Sequence, residues 1–114
     1  MNAFRLLLIA LWLTIAVYTG VVITNHGPNL LPIFFGDMAA MAWPGQFNLD
    51  FMCMLTLSGL WVSWRHHFSV SGLALGLLAL VGGASFLTIY LLILSHQAAG
   101  DMKVILLGKV RATA

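Results

Sequence analysis

The sequence predicts an all-α fold, a transmembrane bundle of three helices at about 4–24, 44–64 and 70–95 with an interfacial segment at about 29–43. Three observations lead there. Hydrophobic residues make up 61% of the chain and charged residues 7%, against roughly 25% charged in soluble domains. The chain has no glutamate, and its three aspartates and five Lys or Arg are too few to coat a water-soluble globule of 114 residues. Long uncharged runs separate those charges, as membrane spans require. The whole chain, 1–114, reads as one integral membrane domain, in the cell membrane if the source is bacterial. The net charge of +2 is scattered, with no basic run or acidic tail, so nucleic acid is not an expected partner.

The first helix occupies the nineteen uncharged residues from Leu6 to Thr24. Arg5 ahead of an apolar run resembles a signal peptide, but no small-x-small cleavage site follows, so a retained helix is expected. "NHGP", 25–28, ends it with residues suited to turns. Residues 29–43 are too short to span and contain Pro32, Gly36 and Asp37. Their apolar character places them on the membrane interface, with a re-entrant hairpin as the alternative.

The second helix turns on a length argument. Only fourteen residues, Phe51 to Trp64, separate Asp50 from Arg65. At about 1.5 Å per residue they reach roughly 21 Å, short of the ~30 Å hydrocarbon core. The helix must therefore begin near Pro44, a favourable first-turn residue, which puts Asp50 inside it. Trp43, Trp61 and Trp64 suit interfacial anchoring at its ends.

The third helix carries no charge between Arg65 and Asp101. Gly72, Gly76, Ala79 and Gly83 share one face, a small-residue stripe that suits close approach of another helix. The tail mixes Lys103, Lys109 and Arg111 with apolar residues, and either lies on the membrane or extends the third helix. Three straight spans put Arg5 and Arg65 on one side and the three tail cations on the other. Two against three leaves orientation undetermined.

Counting depth in an up-down-up bundle gathers Asp50, Tyr18, Asn25, Asn48, Thr88 and Tyr90 at one end, with at least one hydrogen bond expected between Asp50 and Tyr18, Asn25, Thr88 or Tyr90. Such a cluster is either a polar pocket with a proton-accepting carboxylate or a structural clamp between helices. Cofactors are not expected: phosphate-loop, hydrolase-elbow, zinc-protease and CxxC motifs are all missing. Adjacent His66 and His67 point about 100° apart on a helix, which suits solvated or headgroup-facing roles rather than a metal. His26 with Asp37 supplies too few ligands for one, and Cys53, among methionines, reads as a small buried apolar residue.

"QFNLDFMCMLTLSGLWVSWRHH", "GGASFLTIYLLIL" and the closing "LLG" resemble a family of small plant and bacterial polytopic membrane proteins classed as a domain of unknown function. In that pattern an Asp-Phe pair opens a helix ending in Trp and a basic residue, and a Gly-Ser/Thr-Tyr helix follows. Those positions are Asp50, Phe51, Trp61 and Arg65, then Gly83, Thr88 and Tyr90. His66 stands where the pattern has an acidic residue. The resemblance implies an organisation and no activity. The expected function is a small non-enzymatic membrane protein, self-associating (a homo-oligomer) or an accessory subunit of a larger membrane complex, with membrane lipid around it. A small oligomeric transporter or channel built on Asp50 is the alternative, and a lipid-active enzyme using Asp50 as base a weaker one.

Overall fold

The computed structural model describes residues 1–114 and is helical throughout, with no strand. In chain order the elements are α1 (Asn2–His26), α2 (Leu30–Ala39), α3 (Trp43–Arg65), α4 (Val70–Gln97), α5 (Met102–Leu107) and α6 (Lys109–Ala112). Each boundary has a local cause. Gly27, at φ 78, ends α1, and its N–H closes the last turn on Ile23 O. Pro44 sits in the first turn of α3, where its missing donor costs nothing. Ser69 caps α4 by accepting from Gly72 N, and Asp101 caps α5 by accepting from Lys103 N.

α3 and the first half of α4 pack antiparallel at very close range. A Cβ on Gly59 would lie 2.9 Å from Gly76 O, and one on Gly76 would meet Ser63 Oγ and lie 2.8 Å from Gly59 O. Gly72 sits against His66 at one end of this crossing, and Gly83 against Phe51 and Leu55 at the other. Gly72, Gly76, Ala79 and Gly83 are all buried, so the small-residue face is taken up within the chain. α2 packs on the start of α3 by a similar device: Gly45 lies against the backbone of Asp37 and Met38, and Asn48 donates from Nδ2 to Phe34 O at 3.0 Å.

The predicted third helix is not one straight rod. Gly83 adopts φ 56, ψ −139, which breaks the helical path. Beyond it the chain turns back along α3. Gly72 already lies beside His66, yet the Tyr90 hydroxyl is 2.7 Å from His66 Nε2. Eighteen residues of straight helix would put about 27 Å between residues 72 and 90, so only a reversal brings both to His66. The Tyr90 ring then meets Trp61 edge-on at 6.0 Å and stacks on Phe86 at 5.4 Å. Val62, Ala79, Tyr90, Leu94 and Ile105 form the small core where the returning half meets α3 and α5.

α1 packs on that returning half. Arg5 reaches Ser95, Leu8 is buried, and Met1 lies on Gly100, where an added Cβ would be 3.3 Å from its side chain. From Val17 to His26 every residue of α1 is exposed. Two helices, α1 and α4, are long and apolar enough to cross a membrane. α4 is so by residue count, because the break at Gly83 leaves two halves of about 20 Å each. α3 has the length but carries more polar residues. Only 15 of 114 residues are buried, so most of the apolar surface faces outward.

Candidate functional site: an arginine-braced end of the bundle

The turn at Gly83 brings every charge that follows it to the end that already holds Arg5 and Arg65. Because α4 returns to its starting end, its C-terminus, α5 and α6 come to lie beside the end of α3 and the start of α1. Arg5, Arg65, Lys103, Lys109 and Arg111, all the Lys and Arg residues of the chain, therefore share one end. Asp37 and Asp50 belong to the opposite end, with α2 and the start of α3. Five cations against Asp101 alone leave this end at a formal +4.

The three arginines each reach a helix other than their own. Arg5 donates from Nε to Ser95 Oγ at 3.0 Å and from Nη2 to Ser95 O at 2.9 Å, close to the end of α4. Arg65, in the last turn of α3, donates from Nε to Ile105 O at 2.7 Å and from Nη2 to Val104 O at 3.1 Å on α5. Arg111 donates from Nη1 to Trp64 O at 2.6 Å and lays its guanidinium 3.9 Å over the Trp64 ring. Trp61 Nε1 adds a fourth brace to Leu106 O at 3.0 Å. These carbonyls lie in the last turns of their helices, at the negative end of the helix dipole. Ser95 O, Trp64 O and Val104 O also accept from Gly100 N, His67 N and Gly108 N, so there the arginine is a second donor. A charged donor there contributes about 1.5–3 kcal/mol per hydrogen bond. No carboxylate pairs with any of the three arginines, so their charge is spread over backbone dipoles rather than cancelled.

His66 caps α3 at this end and is half-buried. Burial, then the neighbouring Arg65 and His67, lowers its pKa from 6.5. A neutral ring protonated at Nδ1 leaves Nε2 to accept from the Tyr90 hydroxyl. His67 is exposed and at φ 58. The solvated role expected for both histidines thus fits His67 and not His66. A cavity of about 380 Å³ opens beside Arg65, lined by Gln97, Ala98, Val104 and Lys109 as well.

The polar cluster expected around Asp50 does not assemble. Asp50 is within α3, at the level of the Gly83 turn, and its side chain is exposed. Tyr18 and Asn25 are exposed on α1. Asn48 is committed to Phe34 O. Thr88 donates to Ala84 O within its own helix at 2.7 Å, and Tyr90 pairs with His66. The depth count assumed a straight α4; the turn carries Thr88 and Tyr90 away from Asp50, toward the opposite end. Cys53 is exposed rather than buried. His26 and Asp37 gain no third ligand-type neighbour.

The bracing residues were visible in the sequence only as loop charges, and nothing local marks Arg65 as a partner of residues forty positions away. A signal for the turn was present in the double glycine Gly82–Gly83, since paired small residues are a common cause of helix breaks. Comparison of the chain with family models, curated proteins and solved structures found no match.

Proposed function

We propose that this chain is a small integral membrane protein that acts without catalysis, as a self-associating or accessory subunit of a membrane complex. In this reading α1 and α3 cross the bilayer and α4 enters and returns as a re-entrant hairpin. Backbone that leaves the helical path at membrane depth is tolerated where protein covers it, and Gly83 is buried against α3. The observation that carries the association is the bare second half of α1. Residues 17–26 are exposed on every side and include Tyr18 and Asn25, polar groups that in lipid call for a partner helix or the interface. The outward-facing apolar sides support the membrane setting.

The charge distribution supports an orientation as well. Five cations at one end and none at the other suit the positive-inside rule, with both termini on the cytoplasmic side. The test has two parts. Alkaline carbonate extraction should leave the chain in the membrane pellet. Native mass spectrometry of protein extracted from its own membrane should report more than one copy, or a larger partner. A soluble chain, or a strict monomer without partners, would end this reading.

A second reading, a small transporter or channel, is favoured by one observation. Asp50 is exposed on the outside of a single copy, so an oligomer would enclose it. Flux in liposomes that Asp50→Asn abolishes would select that reading; flux unchanged by the substitution would discard it.

A further inference from the structure

We propose that the cavity between the ends of α3, α4 and α5 binds a phosphate-bearing anion, supplied by the headgroup of an anionic phospholipid. Its volume of about 380 Å³ lies within the range of small-ligand sites, roughly 300–1,000 Å³. Of its five lining residues, Arg65 and Lys109 are cations, Gln97 is an amide, and Ala98 and Val104 are apolar.

The donor inventory favours an anion. A guanidinium has five N–H groups. Arg65 uses one on Nε and one on Nη2 for Ile105 O and Val104 O, and the Tyr90 hydroxyl takes a further contact from its side chain, which leaves two. The Lys109 ammonium offers three more and has no protein acceptor, and the Gln97 amide offers two. No carboxylate lines the cavity. Asp101, the only acidic side chain at this end, caps α5 through Lys103 N.

The cavity is also preorganised. Arg65 is held in place by the two carbonyls it braces, so a phosphate would meet a fixed guanidinium fork. Gly108, at φ 83 and buried, packs its backbone on Arg65, with an added Cβ falling 3.3 Å from Arg65 O. That contact fixes the start of the segment carrying Lys109. A zwitterionic headgroup would bring its ammonium to an end of formal +4, whereas phosphatidylglycerol brings the phosphate alone. Ala98 and Val104 suit the glycerol carbons beside it.

The lipid source rests on the membrane reading above; the phosphate chemistry does not. The experiment uses the full chain in detergent, titrated with phosphatidylglycerol or phosphatidylcholine and read by native mass spectrometry as retained lipid. Phosphatidylglycerol should be retained in preference. Lys109→Gln should weaken that retention about fivefold, the loss expected for one cation near a phosphate surface. Lys103→Gln removes the same charge outside the cavity and should weaken it less. Arg65→Lys should also weaken retention, and circular dichroism reports whether it still folds; Lys109→Gln tests the site regardless. Inorganic phosphate or glycerol 3-phosphate at millimolar concentration separates the sources. Displacement of the lipid assigns the cavity to a soluble phosphate, and failure to displace assigns it to the headgroup. Equal retention of the two lipids, with no effect of soluble phosphate on the chain's melting temperature, overturns the site. So do equal losses from Lys103→Gln and Lys109→Gln, which describe a diffuse basic surface. Either negative result in a chain that stays in the carbonate-washed pellet leaves the membrane reading standing.

Discussion

Substituting Gly83 by alanine tests the turn in α4 by the sign of its effect. In a straight helix, alanine for glycine gains about 1 kcal/mol from reduced backbone entropy in the unfolded chain and better helix propensity. In the turned chain Gly83 sits at φ 56, ψ −139, a combination that a Cβ makes sterically costly. Holding a non-glycine residue in such a region costs on the order of 1–3 kcal/mol. The new methyl would also fall 2.9 Å from Phe51 Cζ and 3.5 Å from Leu55 Cδ2. Phe51 is 46% exposed and swings aside, so backbone strain dominates and the expected loss is about 1–3 kcal/mol. Reversible unfolding in mixed micelles, followed by helical circular dichroism, measures it. Gly20→Ala is the control, because Gly20 is helical with nothing within 4 Å of an added Cβ. It should gain about 0.5–1 kcal/mol. If Gly83→Ala stabilises the protein as Gly20→Ala does, α4 is straight, and the shared cationic end and its cavity fall with the turn.

Gly76→Ala should cost about 1–3 kcal/mol by overpacking the crossing with Gly59 and Ser63; stability equal to that of Gly20→Ala in the same unfolding assay would disprove the close approach. Arg65→Met removes two charge-assisted bonds, and about 3–6 kcal/mol of gross interaction by the usual range for charged donors, so the 102–112 segment should become open to limited proteolysis while α1 to α4 remain protected. His66 is neutral-favoured in the folded chain: its pKa is lowered, so its contribution is full above pH 6.5 and is lost progressively as pH falls below that value. Melting temperature should therefore drop between pH 7.5 and 5.5, and His66→Gln should flatten that drop; an unchanged slope counts against the burial of His66 beside Arg65. Asp50→Asn, at an exposed position, should change stability by no more than about 0.5 kcal/mol, and a larger loss in the oligomer than in the monomer would reveal a partner across an interface.

Much of the element map was legible from chain chemistry. The uncharged run after Arg5 and the glycine in "NHGP" delimit α1. Pro44 and the span-length argument placed Asp50 inside α3, which begins at Trp43. The third helix, expected from about 70, begins at Val70. These signals are local: a turn glycine, a missing donor and an uncharged run each act on their own stretch of chain. The turn was illegible because glycine has two uses that look alike in a sequence. Gly72 and Gly76 serve by being small and letting α3 come close. Gly83 serves by adopting a backbone angle that other residues resist, and small-residue spacing does not distinguish the two. Misreading that one residue displaced Thr88 and Tyr90 from the His66 end to the Asp50 end. It also divided five cations that the fold unites. The braces from Arg65 and Arg111 follow from the turn, so they were out of reach once α4 was taken as straight.

Met1 resting on Gly100 means that the polypeptide nearly closes on itself. Only the short α5–α6 tail, which Arg65 and Arg111 hold against the same end, separates that contact from the C-terminus. The order in which the helices are threaded is then loosely tied to their arrangement in space. A linker from Ala114 to Met1 would join the ends at the one end of the molecule where both lie, and a new opening in the 27–29 turn would yield a permuted chain with the same neighbours. A linker fusing two copies head to tail would likewise start and finish at that same end.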